Sequence, residues 1–183
     1  MRAYFFGNMY LSSIQQGIQA AHATHELFIK YNQPGRAQAY LLDWATDHKT
    51  MILLNGGYAA TIQELVDFFG EQDGPYGLYP FAPFYEEEAS LNGALTTVGI
   101  ILPEKIYLVA AAIRAESPGH YDFEDGQASR AYTTREKIWN DGEITIGPGN
   151  TLGFDIDKDL TLSYTKWEAQ LIDRLNQFNQ MAS

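Results

Sequence analysis

Three apolar runs, Arg2 to Gly7, Lys49 to Asn55 and Thr96 to Leu102, are separated by stretches in which apolar residues return every three or four positions. Strands that alternate with helices form a sheet covered by helices, because each face of the sheet must be buried against another layer. Ser12 and Ser13 each stand three residues before a glutamine, Gln15 and Gln16, which is the signature of a capped helix start. In that helix Ile14, Ile18, Ala21, His25 and Phe28 keep the helical period and are expected to be buried. Gln15, Gln19, His22 and Glu26 form a polar stripe beside them.

Ala37, Tyr40, Leu41 and Trp44 predict a second, short helix. Gly56 and Gly57 end the 49–55 run, and Thr61 with Glu64 predicts a cap for a helix whose Ile62, Leu65, Val66 and Phe69 face inward. Phe81 to Tyr85 reads as a short strand. Pro103 suits the first turn of a helix carrying Ile106, Val109, Ala110 and Ile113. The expected order to Arg114 is β-α-α-β-α-β-β-α. The fold class is therefore α/β, a mixed β-sheet with helices on its faces. Beyond it, 115–135 reads as loop and 138–162 as short strands. A last helix opens on Thr165 and Glu168, with Trp167, Leu171, Leu175 and Phe178 as its apolar stripe. A chain of 183 residues is expected to be a single domain, 1–114 the core and 115–183 an extension too poor in apolar residues to fold alone.

Charge and cysteine content narrow the function. Twelve basic against 23 acidic residues leave a net charge of −11. That opposes duplex nucleic acid or a whole tRNA, whose affinity comes from clustered Lys and Arg, but not a small nucleotide. With no cysteine there is neither a disulfide framework nor a thiolate metal site. No stretch approaches a membrane-spanning length and residues 1–20 lack a signal-peptide pattern, so the expected location is the cytoplasm, with no membrane partner.

The turn from Gly7 to Gln16 is the first candidate site. A strand feeding a helix start presents backbone N–H groups and the positive end of the helix dipole. Asn8, Tyr10, Ser12, Ser13 and Gln16 lie there, fitted to a phosphate or ribose, although plain helix capping uses the same residues. Asn92, before Gly93, is either a turn residue or an amide reading a base or ribose edge. Arg114, Arg130 and Arg135 are three of only six arginines, candidates for a phosphate contact or for surface ion pairs. His22, His25, Glu26, His48 and His120 offer no metal-ligand spacing, so neither a metal nor a cofactor is expected. The Glu86–Glu88 run reads as a solvated face. No Ser-His-Asp or nucleophile-elbow pattern occurs.

Two resemblances sharpen this reading. Gln19–Ala20–Ala21–His22–Ala23 resembles the second half of a helix signature of type 2 peptidyl-tRNA hydrolases, and the likeness in element order spans residues 1–114. It implies that family's fold. In register, the family's catalytic lysine falls at Gln15 and the preceding glycine at Ile14, while its acidic residue matches only loosely at Glu87 or Glu88. A glutamine supplies neither positive charge nor proton transfer.

Met1 to Phe6, Tyr10 to His22 and Leu91–Asn92–Gly93 are similar to the first Thoeris anti-defence family of phage proteins. That resemblance implies a sponge that binds cyclic ADP-ribose isomers, or cyclic oligonucleotides, uncleaved in the host cytoplasm. It also implies a homo-oligomer, dimer or hexamer. In such a protein Phe5, Phe6 and Tyr10 would stack on the adenine, and Ser12, Ser13 and one arginine would meet the phosphates, Arg114 before Arg130 or Arg135. The chain is then a binding protein and not an enzyme. The alternatives are a peptidyl-tRNA hydrolase-like or nucleotide-cleaving enzyme, and an acidic protein-interaction module.

Overall fold

Arg2–Gly7 forms the strand (β1) on which the first part of the protein is assembled. In the computed structural model the described residues are 1–72, 79–107, 110, 139–140, 143–144, 162–163 and 165–178. The chain divides into two compact units, Met1–Glu104 with Gln177–Ser183, and Lys105–Asn176. In the first unit β1 is followed by α1 (Ser13–Lys30), α2 (Arg36–Asp43), β2 (Met51–Asn55), α3 (Ala59–Gly70), β3 (Phe81–Tyr85), the short α4 (Glu88–Leu91) and β4 (Leu95–Leu102). The four strands lie in the order β2-β1-β4-β3. β2 runs parallel to β1, and β4 runs antiparallel to both β1 and β3, so the sheet is mixed. Pro83 is accommodated because β3 is an edge strand.

The pleat of β1 sends alternate side chains to opposite faces. Ala3 and Phe5 join Ala20, Ala23 and Leu27 of α1, Leu41 of α2 and Trp44 in one cluster. Phe6 faces the other way and meets Phe69 of α3 at 5.9 Å. Helices therefore cover both faces, as expected. Gly99, opposite Phe5 across β1 and β4, leaves room for the ring: a Cβ there would lie 2.6 Å from Phe5 Cε1. After α2 the backbone widens, Lys49 N–H reaching Trp44 O at 2.8 Å, and Lys49 ends the turn with φ 53°. β2 is less buried than its apolar sequence predicts, because it is an edge strand; Leu54 alone of its residues is fully buried.

α1 corrects the expected burial. Its sheet-facing residues are Gln16, Gln19, Ala20, Ala23 and Leu27. Ile14 is 77% exposed, Ile18 50% and Phe28 39%, and Ala21 and His25 are also exposed. Small Ala20 and Ala23 bring the helix close to the sheet, and the buried amides find partners, which removes the cost that burying them unbonded would carry. The α3 cap is corrected too. The helix starts at Ala59 behind Tyr58, which makes no side-chain cap bond, so Thr61 lies within the first turn. Lys30 Nζ donates to Phe81 O at 3.0 Å and sits 3.7 Å over that ring, pinning the end of α1 to β3.

In the second unit, residues 105–107 are helical. Trp139–Asn140 (β5), Glu143–Ile144 (β6) and Leu162–Ser163 (β7) pair antiparallel in the order β5-β6-β7. Lys166–Leu175 (α5) carries the expected capping box between Thr165 and Glu168. Trp167, Leu171 and Leu175 are buried, and the buried Glu168 is paired with Lys105 at 2.6 Å.

The packing at Gly99 yields a contrast. Gly99→Ala should lower stability by about 1–3 kcal/mol, because the added methyl overlaps the Phe5 ring. Gly17→Ala, where a Cβ meets nothing within 4 Å, should raise it by about 0.5–1 kcal/mol through the helix-interior preference for Ala. Urea unfolding of the two variants beside the parent checks both signs.

Candidate functional site

β1 and β2 are parallel neighbours, with Gly7 opposite Asn55, so both strands end at one edge of the sheet. From that edge the chain enters α1 on one face and α3 on the other. Crevices of this kind, at the carboxyl ends of strands where helices part to opposite faces, are where open α/β sheets bind ligands. Here the two connecting turns are sewn together through their backbones. Gly56 N–H donates to Gly7 O at 2.8 Å, Met9 N–H to Gly57 O at 2.9 Å, and Asn8 N–H to Thr96 O at 2.9 Å. Only glycine fits at 56, since a Cβ would come within 2.9 Å of the Phe6 carbonyl carbon. Gly57 adopts φ 75°, and its N–H donates to Asn55 Oδ1 at 2.9 Å.

Several expected site residues set the shape of the first turn. Asn8 Oδ1 accepts from Tyr10 N–H at 3.1 Å. The buried Gln16 amide donates to Leu11 O at 3.0 Å and reaches Asn8 O at 3.5 Å. Ser12 Oγ accepts from Gln15 N–H at 3.3 Å, and Gln15 Oε1 accepts from Ser12 N–H at 2.9 Å. The Ser12 hydroxyl is therefore a cap, and the position that a hydrolase-like register gives to lysine holds an amide locked in that cap. Ser13 is exposed in the first turn of α1.

Tyr10 stands 77% exposed over this edge, and Tyr58, the residue before α3, stands 53% exposed. Their rings lie 5.5 Å apart, tilted by 56°. Neither α1 nor α3 has an acid in its first turn. The acid-free zone is wider than that: the first acidic residue of the chain is Glu26, and none occurs from His48 to Gln63. In a chain of net charge −11, the two helix starts are free of carboxylates from their own segments, while Glu86, which follows β3 at the same end of the sheet, is bonded to Gln19 of α1. This arrangement can hold an anion and offer aromatic faces.

A second polar cluster lies further along α1. The register of β3 on β4 shifts between Phe84 and Tyr85, leaving Thr96 as the extra residue. A bulge re-aims the side chain it carries. Thr96 Oγ1 donates to Gln19 Oε1 at 3.1 Å, and Gln19 Nε2 donates to Glu86 Oε1 at 2.5 Å. The His22 ring stacks on Phe84 at 4.6 Å. Glu86 is thus a hydrogen-bond partner of a buried helix residue rather than part of a solvated run. Its carboxylate lies against the Gln19–His22 segment of α1.

Phe5 and Phe6 require correction. Each is only 1% exposed, packed on opposite faces of a central strand, and neither presents a face to a ligand. Tyr58 takes the place beside Tyr10 that they were expected to fill. Its signal in the sequence was the Gly-Gly pair followed by an aromatic residue at a second strand-to-helix turn, which the apparent Thr61–Glu64 cap obscured. Asn92 ends α4 with φ 53°, the geometry of a turn residue. Arg114, Arg130 and Arg135 lie outside the described residues. Among the described residues no group of three or more His, Asp or Glu side chains is placed to hold a metal, and no helix is long and apolar enough to cross a membrane.

No protein-family model and no curated protein matches the chain.

The seam between the two turns is testable. Gly56→Ala should cost about 1–3 kcal/mol, because its methyl overlaps backbone that cannot rotate away. Gln19→Leu should cost a similar amount, about 1–3 kcal/mol, by leaving Thr96 and Glu86 without the amide. Thermal and urea unfolding of each variant against the parent measures both.

Proposed function

We propose that this protein binds a small cyclic nucleotide, of the cyclic ADP-ribose isomer type, and holds it without cleaving it. On this reading it acts as an anti-defence sponge in a host cytoplasm, as the Thoeris anti-defence family that it resembles does. One observation carries the proposal: the open Tyr10–Tyr58 pair stands over two acid-free helix starts at one sheet edge. Backbone N–H groups and helix dipoles favour the pyrophosphate, and the two rings offer stacking surface for adenine. The hydrolase-like sheet fold and the C-terminal extension belong to the same proposal.

A second reading, a hydrolase, rests on the carboxylate of Glu86, which is bonded to Gln19 one turn before His22. It is the weaker one, since the position of the catalytic lysine is Gln15, bonded within the Ser12 cap. An amide holds a ligand but does not transfer its protons near neutral pH.

Thermal melting with ADP-ribose, cyclic ADP-ribose isomers and cyclic dinucleotides, followed by heat release and chromatography, separates the readings. With ligand at about 100 times its dissociation constant, linkage gives about 2.7 kcal/mol of added stability. The expected result is a raised Tm with the ligand recovered intact. Tyr10→Ala and Tyr58→Ala should each weaken binding by about 1–3 kcal/mol, the worth of one stacked base, with little change in the unliganded Tm. An altered ligand would move the assignment to the enzyme reading. No shift with any nucleotide would overturn it in favour of a protein partner.

A further inference from the structure

The two outer strands of the sheet, β2 and β3, are finished differently. Each turns the main-chain groups of alternate residues away from its one neighbour. In β3 the bond from Ile101 N–H to Pro80 O, at 2.9 Å, sets the ladder so that Phe81 and Pro83 turn outward. That side is closed. Phe81 N–H donates to the Tyr31 hydroxyl at 3.3 Å, Phe81 O accepts from Lys30 Nζ at 3.0 Å, and Pro83 has no N–H to offer. Proline and lysine on an outer strand are devices by which proteins refuse a further strand.

β2 has neither device. Ala3 N–H donates to Thr50 O at 2.9 Å and Gly56 N–H to Gly7 O at 2.8 Å, which with the parallel register directs Ile52 and Leu54 toward β1. The main-chain groups of Met51, Leu53 and Asn55 therefore point outward, and among the described residues no strand pairs with them. The strand, Met-Ile-Leu-Leu-Asn, carries no proline and no charge. Met51 is 43% exposed, and Ile52 and Leu53 are partly buried.

These groups select their occupant. Donors and acceptors at every second residue, roughly 6.6 Å apart, are matched by another extended main chain and not by a compact ligand. Charge selects its source. A chain carrying −11 repels a second copy of itself and attracts a basic segment. In the exposed turn leading into β2, Asp43 and Asp47 outnumber the one lysine, Lys49. We infer that the outer side of β2 receives a strand from a partner protein, an extended basic segment whose alternate apolar residues continue the face of Met51 and Leu53. The contact goes beyond the nucleotide reading and does not depend on it. The test uses no nucleotide, so failure of either proposal leaves the other standing.

Hydrogen exchange of the full chain, read amide by amide, comes first. The amides of Met51, Leu53 and Asn55 should exchange fast while those of Ile52 and Leu54 are protected. Panning phage-displayed random peptides on the full chain should then enrich peptides that carry Lys or Arg and alternating apolar residues. An enriched peptide, made synthetically, should slow exchange at 51, 53 and 55. N-methylation of one alternate set of its amides should abolish binding, and methylation of the other set should spare it. Met51→Pro removes an outward N–H and leaves the ladder to β1 intact, so it should lose the peptide while melting as cooperatively as the parent.

Outward amides already as protected as Ile52 and Leu54 in the chain alone would overturn the inference. Protection that is independent of protein concentration would mean that the chain covers β2 itself, and protection that grows with concentration would mean a second copy. A library that yields no binder, or acidic binders, would also overturn it, as would binding indifferent to which amides are methylated.

Discussion

The approach of Gly56 to the end of β1 is the contact on which the candidate site depends. Its N–H reaches Gly7 O, and no side chain fits between its Cα and the Phe6 carbonyl carbon. Two strand ends are thereby held at backbone contact distance. The helices that follow must start side by side even though they then cover opposite faces of the sheet. Met9 and Asn8 extend the same seam, one to Gly57 and one to Thr96. The result is an edge whose shape is fixed by main-chain bonds and by the buried amide of Gln16, with aromatic side chains left to face solvent.

α1 shows how far local pattern determines packing. The stripe that is buried, Gln16, Gln19, Ala20, Ala23 and Leu27, keeps the helical period as well as the apolar one expected to be, so periodicity alone does not choose between them. The choice is made by partners remote in sequence: Glu86 lies 67 residues from Gln19, and Thr96 lies 77 residues from it. These convert an amide that would be costly to bury into one that is bonded on both atoms. The bulge that turns Thr96 toward Gln19 is likewise a property of strand pairing and is not written in either strand alone. The apolar stripe of Ile14, Ile18 and Phe28 consequently faces outward.

What the sequence shows directly is the part governed by short-range chemistry. The start of α1 at Ser12, the capping box at Thr165, the ends of β1 and β4 and the α/β alternation follow from residues within a few positions of each other. Asn8, Tyr10, Ser12, Ser13 and Gln16 were legible as one turn because they are contiguous. Tyr58 was not, since it joins Tyr10 only when β2 lies parallel to β1. Phe5 and Phe6 were misplaced for a related reason. A short aromatic strand next to a turn resembles a binding surface until helices are seen to cover both its faces. The lack of acids over residues 1–25 and 48–63 becomes meaningful only when those two segments share an edge.

The central claim is that this edge, and not another surface, receives the ligand. Its most direct test is amide NMR of the isotope-labelled full chain titrated with cyclic ADP-ribose isomers. The account predicts that the largest shifts fall on the amides of Asn8 to Ser13 and of Gly57 to Ala59, the two turns joined at Gly56, while those around Lys30 and Phe81 stay in place. Shifts centred instead on His22, Phe84 and Glu86, or confined to the Lys105–Asn176 unit, would contradict it.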